Sequence, residues 1–149
     1  MKPEDAEAQQ ARQAAVRLLA QREHSARELM IRLSRRFDPG VVQGVLEKLQ
    51  ETGLQSDERF AEAYVHARCN KGYGPLRICA ELHERGLEPA LIDASLDVDE
   101  NHWRLLMLKV ARRKFGETKP SDRGEQARRG RFLASRGFPS HLINEYLFS

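Results

Sequence analysis

Arginines and lysines gather in short clusters whose type and spacing suit contact with an anionic partner. A guanidinium pairs bidentately with phosphates or carboxylates, so such a cluster can meet a DNA backbone or an acidic protein surface. The alternative is that a charged helix simply needs a solvated face. The clustered candidates for partner contact are Arg32, Arg35, Arg36, Arg112, Arg113, Lys114, Arg128, Arg129, Arg131 and Arg136.

The turn around Tyr73 is a second candidate contact. The tyrosine lies between two glycines, and Lys71 and Arg77 flank it. An aromatic ring with cations beside it suits contact with a partner, and loops on a rigid scaffold often carry binding residues. The alternative, which the sequence supports equally, is a tyrosine that packs at a helix junction.

Four residues, His66, Cys69, Cys79 and His83, have side chains that zinc accepts. Their order along the chain does not match the usual cysteine pair followed by a histidine pair, so we predict no metal site. The chain also lacks the motifs of serine hydrolases, zinc proteases and phosphate-binding loops. We therefore expect a protein that is not an enzyme and that uses no cofactor.

The elements that position these residues repeat along the chain. Apolar residues recur with helical spacing, and alternating strand patterns are nearly absent. At intervals of about fifty residues, a charged amphipathic stretch ends in a short phrase whose proline opens the next stretch. The three phrases are Arg36-Phe37-Asp38-Pro39, Arg85-Gly86-Leu87-Glu88-Pro89 and Arg136-Gly137-Phe138-Pro139. The first phrase has no glycine, so the helix before it must be capped in another way.

Apolar residues keep the same register around each phrase. Those at equivalent positions are Leu33, Leu82 and Leu133 before the prolines and Val42, Ile92 and Leu142 after them. Self-similarity at a fixed period indicates a repeat architecture, in which neighbouring units bury apolar stripes that none could bury alone. We predict an all-α fold of three tandem three-helix, helix-turn-helix-like repeats in an elongated, curved stack. The predicted repeats span residues 9–53, 54–98 and 99–149, with residues 1–8 as a frayed N terminus. Within the first repeat, Ser25 and Glu28 have the spacing of a capping box that starts the second helix.

Composition and charge restrict the class of protein. Hydrophobic residues make up 40% of the 149 residues and charged residues 32%, which excludes wholesale disorder. No apolar run approaches the roughly 20 residues of a membrane span, and no signal peptide is recognisable, so we expect a cytoplasmic protein with reduced cysteines.

Successive thirds of the chain hold nine Lys/Arg against seven acids, five against eleven, and eleven against four. The basic last third indicates a nucleic-acid or acidic protein partner, although a merely solvated face is an equally good interpretation.

The ordered combination of these phrases resembles the RecX family, the regulators of the bacterial RecA recombinase. The similarity is carried by Asp57–Val65, by Arg68, by Lys71–Ile78, by Glu81-Leu82 and by Arg85–Leu87. Flanking similarity lies in Ser25–Leu33 and Leu133–Phe138, and the resemblance extends from about residue 12 to residue 147.

The resemblance implies tandem three-helix repeats and a function that the spacing alone does not indicate. Members of this family bind RecA and lie in the helical groove of its filament on single-stranded DNA. There they inhibit ATP hydrolysis and strand exchange, which implies a role in DNA repair, recombination and the SOS response. Carried onto this chain, the resemblance adds Arg68 to the contact candidates Lys71, Tyr73 and Arg77. It implies the RecA filament as partner, with weak electrostatic contact to single-stranded DNA, and no membrane or small-molecule partner.

Three other interpretations remain open at this stage. Three-helix units also occur in helix-turn-helix proteins that bind DNA without a recombinase. A helical repeat protein can also serve as an adaptor for some other acidic protein. A metalloenzyme built on the histidines and cysteines is the last of these alternatives.

Overall fold

A computed structural model describes residues 2–149. In this range the chain forms nine α-helices and no strand. The helices are α1 (Pro3–Gln21), α2 (Ala26–Leu33), α3 (Pro39–Glu51), α4 (Asp57–Asn70), α5 (Pro75–Glu84), α6 (Pro89–Leu96), α7 (Glu100–Phe115), α8 (Arg123–Ser135) and α9 (Ser140–Phe148). Consecutive triplets form repeat one (α1–α3), repeat two (α4–α6) and repeat three (α7–α9), which confirms the predicted all-α class with tandem three-helix repeats.

Local signals in the sequence explain where the helices begin. The capping box predicted at Ser25 is present, since the Ser25 hydroxyl accepts from the Glu28 amide and the Glu28 carboxylate accepts from the Ser25 amide. Several helices begin at a proline, which tolerates the first helical position because no intrahelical hydrogen bond is lost there. The first helix begins at Pro3 and therefore includes residues that were predicted to be frayed. No helix in residues 2–149 is both long and apolar enough to cross a membrane.

The repeated apolar residues form the interior. All six predicted positions are buried, with at most 4% of each residue exposed. They are Leu33, Leu82, Leu133, Val42, Ile92 and Leu142. Fully buried side chains of this kind each contribute roughly 1.5–3 kcal/mol to folding. The apolar positions that repeat along the sequence are therefore the positions that form the core.

The chain consists of two compact units, and residues of repeat two belong partly to one unit and partly to the other. Unit one is the chain through Ala63 together with Leu82–Leu91. Its main apolar cluster joins α1, α2 and α3 through small alanines on α1 and branched residues on α3. Unit two consists of Tyr64–Glu81 and Ile92–Ser149.

The same packing arrangement occurs once in each unit. In unit one, the N terminus of α2 packs on the turn between α5 and α6, where the Ser25 hydroxyl donates to the Arg85 carbonyl at 2.9 Å. In unit two, the N terminus of α5 packs on the turn between α8 and α9, where the Gly74 amide donates to the Arg136 carbonyl at 2.7 Å. Each turn contains a glycine at positive φ, Gly86 in unit one and Gly137 in unit two. A residue that packs on the turn lies so close to this glycine that a β-carbon would not fit there.

The equivalent turn of repeat one is built without glycine, as its sequence required. The amides of Arg36 and Phe37 both donate to the Leu33 carbonyl, at 3.1 and 2.8 Å. No residue other than glycine has positive φ in the described range. Phe37, which is 5% exposed, is itself part of the unit-one core.

Buried polar residues gather where α2 begins. His24, Ser25 and Gln55 are at most 3% exposed. The Gln55 side-chain amide donates to the His24 carbonyl at 3.1 Å, and the His24 Nδ1 lies 3.0 Å from the Arg22 carbonyl. Burial lowers the pKa of His24 below its ordinary value of 6.5, because the imidazolium would lose its hydration.

We expect the stability of the protein to fall as the pH is lowered through about 6.5. The unfolded chain binds a proton at His24 more readily than the folded chain does, so this stability is complete above pH 6.5 and is lost as the pH falls towards the folded pKa. Urea unfolding at neutral and mildly acidic pH measures the effect. His24→Gln should show a smaller loss over the same interval, and an equal loss in both proteins would contradict the assignment to His24.

Candidate partner-binding site

The Tyr73 turn is formed by a Schellman motif at the end of α4. The amide of Gly72, at φ +86°, donates to the Cys69 carbonyl at 2.9 Å, and the Tyr73 amide donates to the Arg68 carbonyl at 3.1 Å. This motif brings the residue after the glycine against the residue that begins the last turn. Here it places the Tyr73 ring centroid 3.9 Å from the Arg68 guanidinium carbon.

Two further guanidinium groups lie against the same ring. Arg77, on α5, lies 4.3 Å from the Tyr73 centroid, and Arg136, at the end of α8, lies 4.8 Å from it. Each distance is within the range in which the electron-rich face of an aromatic ring attracts a cation. We call Tyr73, Arg68, Arg77 and Arg136 the Tyr73 cluster.

Packing between repeats two and three brings Arg136 to this cluster. The Gly74 amide donates to the Arg136 carbonyl and the Leu76 amide to the Gly137 carbonyl, at 2.7 and 2.9 Å. The Arg136 side chain then donates to the Lys71 carbonyl at 3.1 Å. The turn around Tyr73 and the third repeated phrase, Arg136-Gly137-Phe138-Pro139, are therefore parts of a single site.

Glu81 orients two of the three guanidinium groups. Its carboxylate accepts two hydrogen bonds from Arg68, both at 2.8 Å, and further ones from Arg77 at 3.4 Å and from the Tyr64 hydroxyl at 2.9 Å. Burial acts to raise the pKa of Glu81, but these hydrogen bonds outweigh it and hold the pKa below its ordinary value. Glu81 pairs with two of the three guanidinium groups, so the cluster with its carboxylate keeps net positive charge.

A cationic groove extends from the cluster along α7. It has a volume of about 510 Å³ and lies between α7, the end of α4 and α8. Its apolar lining consists mainly of Leu106, Val110 and Phe132. Its charged lining residues are Lys71, Lys109, Arg113, Lys114 and Arg136, and no carboxylate is among the lining residues of the described chain. We call this feature the α7 groove.

The structure brings together only some of the candidate contacts. Arg113 and Lys114 line the α7 groove, whereas Arg112 lies outside it, 3.6 Å from Glu117. Arg131 lines a separate shallow groove between α8 and α9, and Arg128 pairs with Glu125 at 2.9 Å. In unit one, Arg32 and Arg36 line a shallow groove against α1, and Arg35 is exposed.

Arg129 differs from the other candidates because its side chain is buried. Only 3% of the residue is exposed. Its guanidinium donates to Glu125 at 2.9 Å, to the Thr118 carbonyl at 2.7 Å and to the Tyr146 hydroxyl at 2.8 Å. Arg129 holds the loop before α8 against α9, and its buried guanidinium is not exposed to a partner.

Two charged residues of the site, Lys109 and Glu81, were not among the sequence candidates for partner contact. Lys109 lies four positions before Arg113 on α7 and faces the same groove, so helical spacing carried a signal for it. Glu81 follows Arg77 by four positions, the spacing of an intrahelical ion pair. In the described chain no three histidine, cysteine, aspartate or glutamate residues are arranged to hold a metal ion.

Three tandem three-helix repeats without a strand in the described residues define an all-α helical-repeat protein. Models of the RecX family match all three repeats: the first three-helix domain over residues 11–49, the second over 56–96 and the third over 106–147. The chain belongs to the RecX family.

Individual relatives agree with this assignment. The chain is 46% identical to regulatory protein RecX of Halorhodospira halophila over 133 residues, which are 89% of this chain and 83% of that protein. It is 40% identical to regulatory protein RecX of Pseudomonas syringae pv. tomato, over 91% of this chain and 88% of that protein.

Solved structures show the same fold. The crystal structure of RecX from Lactobacillus salivarius superposes with a TM-score of 0.76 over 96% of both chains, at 21% identity. A second crystal structure, of a regulatory protein RecX, gives a TM-score of 0.78 over 97% of this chain and 72% of that chain, also at 21% identity.

Proposed function

We propose that this protein binds the RecA recombinase and its filament on single-stranded DNA, lies in the filament groove, and inhibits ATP hydrolysis and strand exchange. Its relatives are regulatory proteins of the RecX family, a name that implies RecA as the partner. The protein acts by binding rather than by catalysis, in the cytoplasm where such filaments form. Contact with single-stranded DNA is weak and electrostatic.

The Tyr73 cluster is the observation that best supports this proposal. Three guanidinium groups are held within 4.8 Å of one ring, and a carboxylate fixes two of them. Because their orientations are set before a partner arrives, little side-chain entropy is lost on binding. Arginine forks of this kind match the carboxylates of an acidic protein surface and the phosphates of DNA.

The inhibition then follows from differential affinity. A ligand shifts a polymer towards whichever state it binds more tightly, by the ratio of its affinities for the two states. A protein that contacts the filament surface through oriented cations stabilises the filament geometry in which those contacts form. If that geometry hydrolyses ATP slowly, both hydrolysis and strand exchange are depressed.

We expect Tyr73→Leu to weaken the inhibition of RecA by about tenfold, whereas Tyr73→Phe should retain it. Leucine preserves an apolar contact at the end of α4 but removes the ring face, and each cation–π contact contributes roughly 0.5–1 kcal/mol. Phenylalanine keeps the ring face on which the three guanidinium groups lie. The measurement is the concentration of protein that halves RecA ATPase activity on single-stranded DNA, with strand exchange as the second assay.

One result would contradict the proposed function, and a second would contradict the role of the Tyr73 cluster in it. The first is unchanged ATPase activity and strand exchange at saturating amounts of the wild-type protein. The second is equal inhibition by both Tyr73 variants, which would separate the function from the cluster while leaving RecA as the partner.

An independent DNA-binding protein of the helix-turn-helix class remains the second candidate. Its recognition helix would be the third helix of a repeat, and such helices read base edges with polar and basic side chains. Lys48 on α3 is the single lysine or arginine on the third helices α3, α6 and α9 within the described chain. Duplex binding in the absence of RecA distinguishes the two candidates: tight, sequence-selective binding favours the second, and weak, salt-sensitive binding favours the first.

A further inference from the structure

The α7 groove combines a row of cations with an aliphatic floor. Leu106 and Val110 lie one helical turn apart on α7, and Lys109 and Arg113 lie one turn apart beside them. Lys71 and Arg136 close the opposite side. With a volume of about 510 Å³, the groove is large enough for a short peptide segment.

Three cations of the groove, Lys71, Lys109 and Arg113, remain available to a ligand. None of the ion pairs within residues 2–149 includes Lys71, Lys109 or Arg113. Arg112, the residue before Arg113, instead forms an ion pair with Glu117. Uncompensated positive charge around a concave site attracts an anionic ligand.

The floor of the groove favours a peptide over a nucleic acid. Single-stranded nucleic acids bind by stacking bases on open aromatic faces. The Phe132 ring is already engaged, since it packs edge-to-face with Phe115 at 5.4 Å and has the charged groups of Lys114 and Arg136 over it at 5.4 and 5.2 Å. The His102 ring likewise packs against Trp103 at 4.9 Å. What remains open is the aliphatic surface of Leu106 and Val110, which suits an aliphatic side chain.

We propose that the α7 groove binds an acidic peptide segment that carries an aliphatic side chain. Carboxylates of the segment pair with Lys109, Arg113 and their neighbours along the rim. Its aliphatic side chain packs on Leu106 and Val110. This inference does not depend on the proposed recombinase function, because it rests on the groove alone.

Binding of defined peptides to the full-length protein tests the proposal. The probe is a labelled peptide of glutamates with two leucines four positions apart, and its comparator is a polyglutamate peptide of equal charge. Fluorescence anisotropy at one fixed salt concentration measures both. We expect the leucine-containing peptide to bind at least about tenfold more tightly, as burial of an aliphatic side chain requires.

Matched variants on α7 locate the site. Arg113→Glu should reduce the affinity for both peptides by about tenfold or more, whereas Arg112→Glu, one residue away and outside the groove, should reduce it much less. Leu106→Gln should remove the advantage of the leucine-containing peptide, and Leu105→Gln, at a position 58% exposed outside the groove, should preserve it. Bound peptide should also slow alkylation of Cys69, which lines the groove, in a Cys79→Ser background.

Other outcomes would overturn the proposal. Equal affinity of the two peptides would show that the aliphatic floor plays no part. Equal loss in the Arg113 and Arg112 variants would show general attraction to positive charge. If oligothymidylate binds more tightly than the leucine-containing peptide and protects Cys69, the groove is a nucleic-acid site instead.

Discussion

Gly137→Ala should destabilise the protein by about 3 to 5 kcal/mol. A β-carbon at this position would lie 2.5 Å from the Arg77 Cβ and 2.6 Å from the Arg77 amide nitrogen, and part of that obstruction is backbone that cannot rotate away. The residue also has φ +98°, which disfavours any L side chain. Chemical denaturation followed by circular dichroism measures the loss.

Substitutions at two other glycines distinguish the cost of the clash with Arg77 from the cost of the positive φ. Gly53 has φ +78° but no atom within 4 Å of the place that a β-carbon would take, so Gly53→Ala should cost only about 1 to 2 kcal/mol. Gly44 lies inside α3 with open space around it, so Gly44→Ala should stabilise the protein by up to roughly 1 kcal/mol. Equal losses at Gly137 and Gly53 would show that the contact with Arg77 is energetically unimportant.

The sequence predicted where these turns occur but not what packs on them. Glycine after the last apolar residue of a helix is a common C-terminal signal, so the phrases around Gly86 and Gly137 indicate helix ends. Glycine is also required because Arg27 lies too close to Gly86, and Arg77 too close to Gly137, to leave room for a β-carbon. That approach depends on how successive repeats pack, and no local pattern reports it.

In the candidate site, too, the sequence indicates the local features but not those that depend on packing between repeats. Tyr73 and its cationic neighbours belong to one short stretch, so the sequence could identify this part of the cluster. Arg136 reaches the ring only because the backbones of Gly74 and Leu76 hydrogen-bond to its turn. Packing between repeats also explains why the α7 groove, which draws on three helices, had no sequence signature beyond the spacing of Lys109 and Arg113.

Charge clustering was least informative where burial decides the role of a residue. Arg128, Arg129 and Arg131 are close in sequence and look alike, yet α8 turns Arg129 inward while Arg128 and Arg131 stay exposed. The helical period indicates that neighbours face different directions, but the low apolar content of α8 hides which face is buried. A buried arginine requires partners for its donors, and these come from Thr118 and Tyr146, outside α8.

Arg129→Met should destabilise the protein by about 2 to 4 kcal/mol, since it removes three hydrogen bonds to a buried charge while filling a similar volume. The Thr118 carbonyl and the Tyr146 hydroxyl would each lose a donor. The Glu125 carboxylate would keep Arg128 as partner; at present hydrogen bonds from both arginines hold its pKa at about 2. We expect the loss to appear as a lower midpoint in urea and as faster hydrogen exchange in α8 and α9.

Arg128→Met is the matched control for this variant. Arg128 donates to the same carboxylate, at 2.9 and 3.0 Å, but its side chain is 56% exposed, and exposed ion pairs contribute little to stability. Its stability should therefore stay close to that of the wild type. If Arg129 instead served as a contact for a partner, Arg129→Met would leave the urea midpoint unchanged and would weaken inhibition of RecA. That pair of results would contradict a structural role for the buried guanidinium, because a side chain that holds the loop before α8 against α9 cannot be removed without loss of stability.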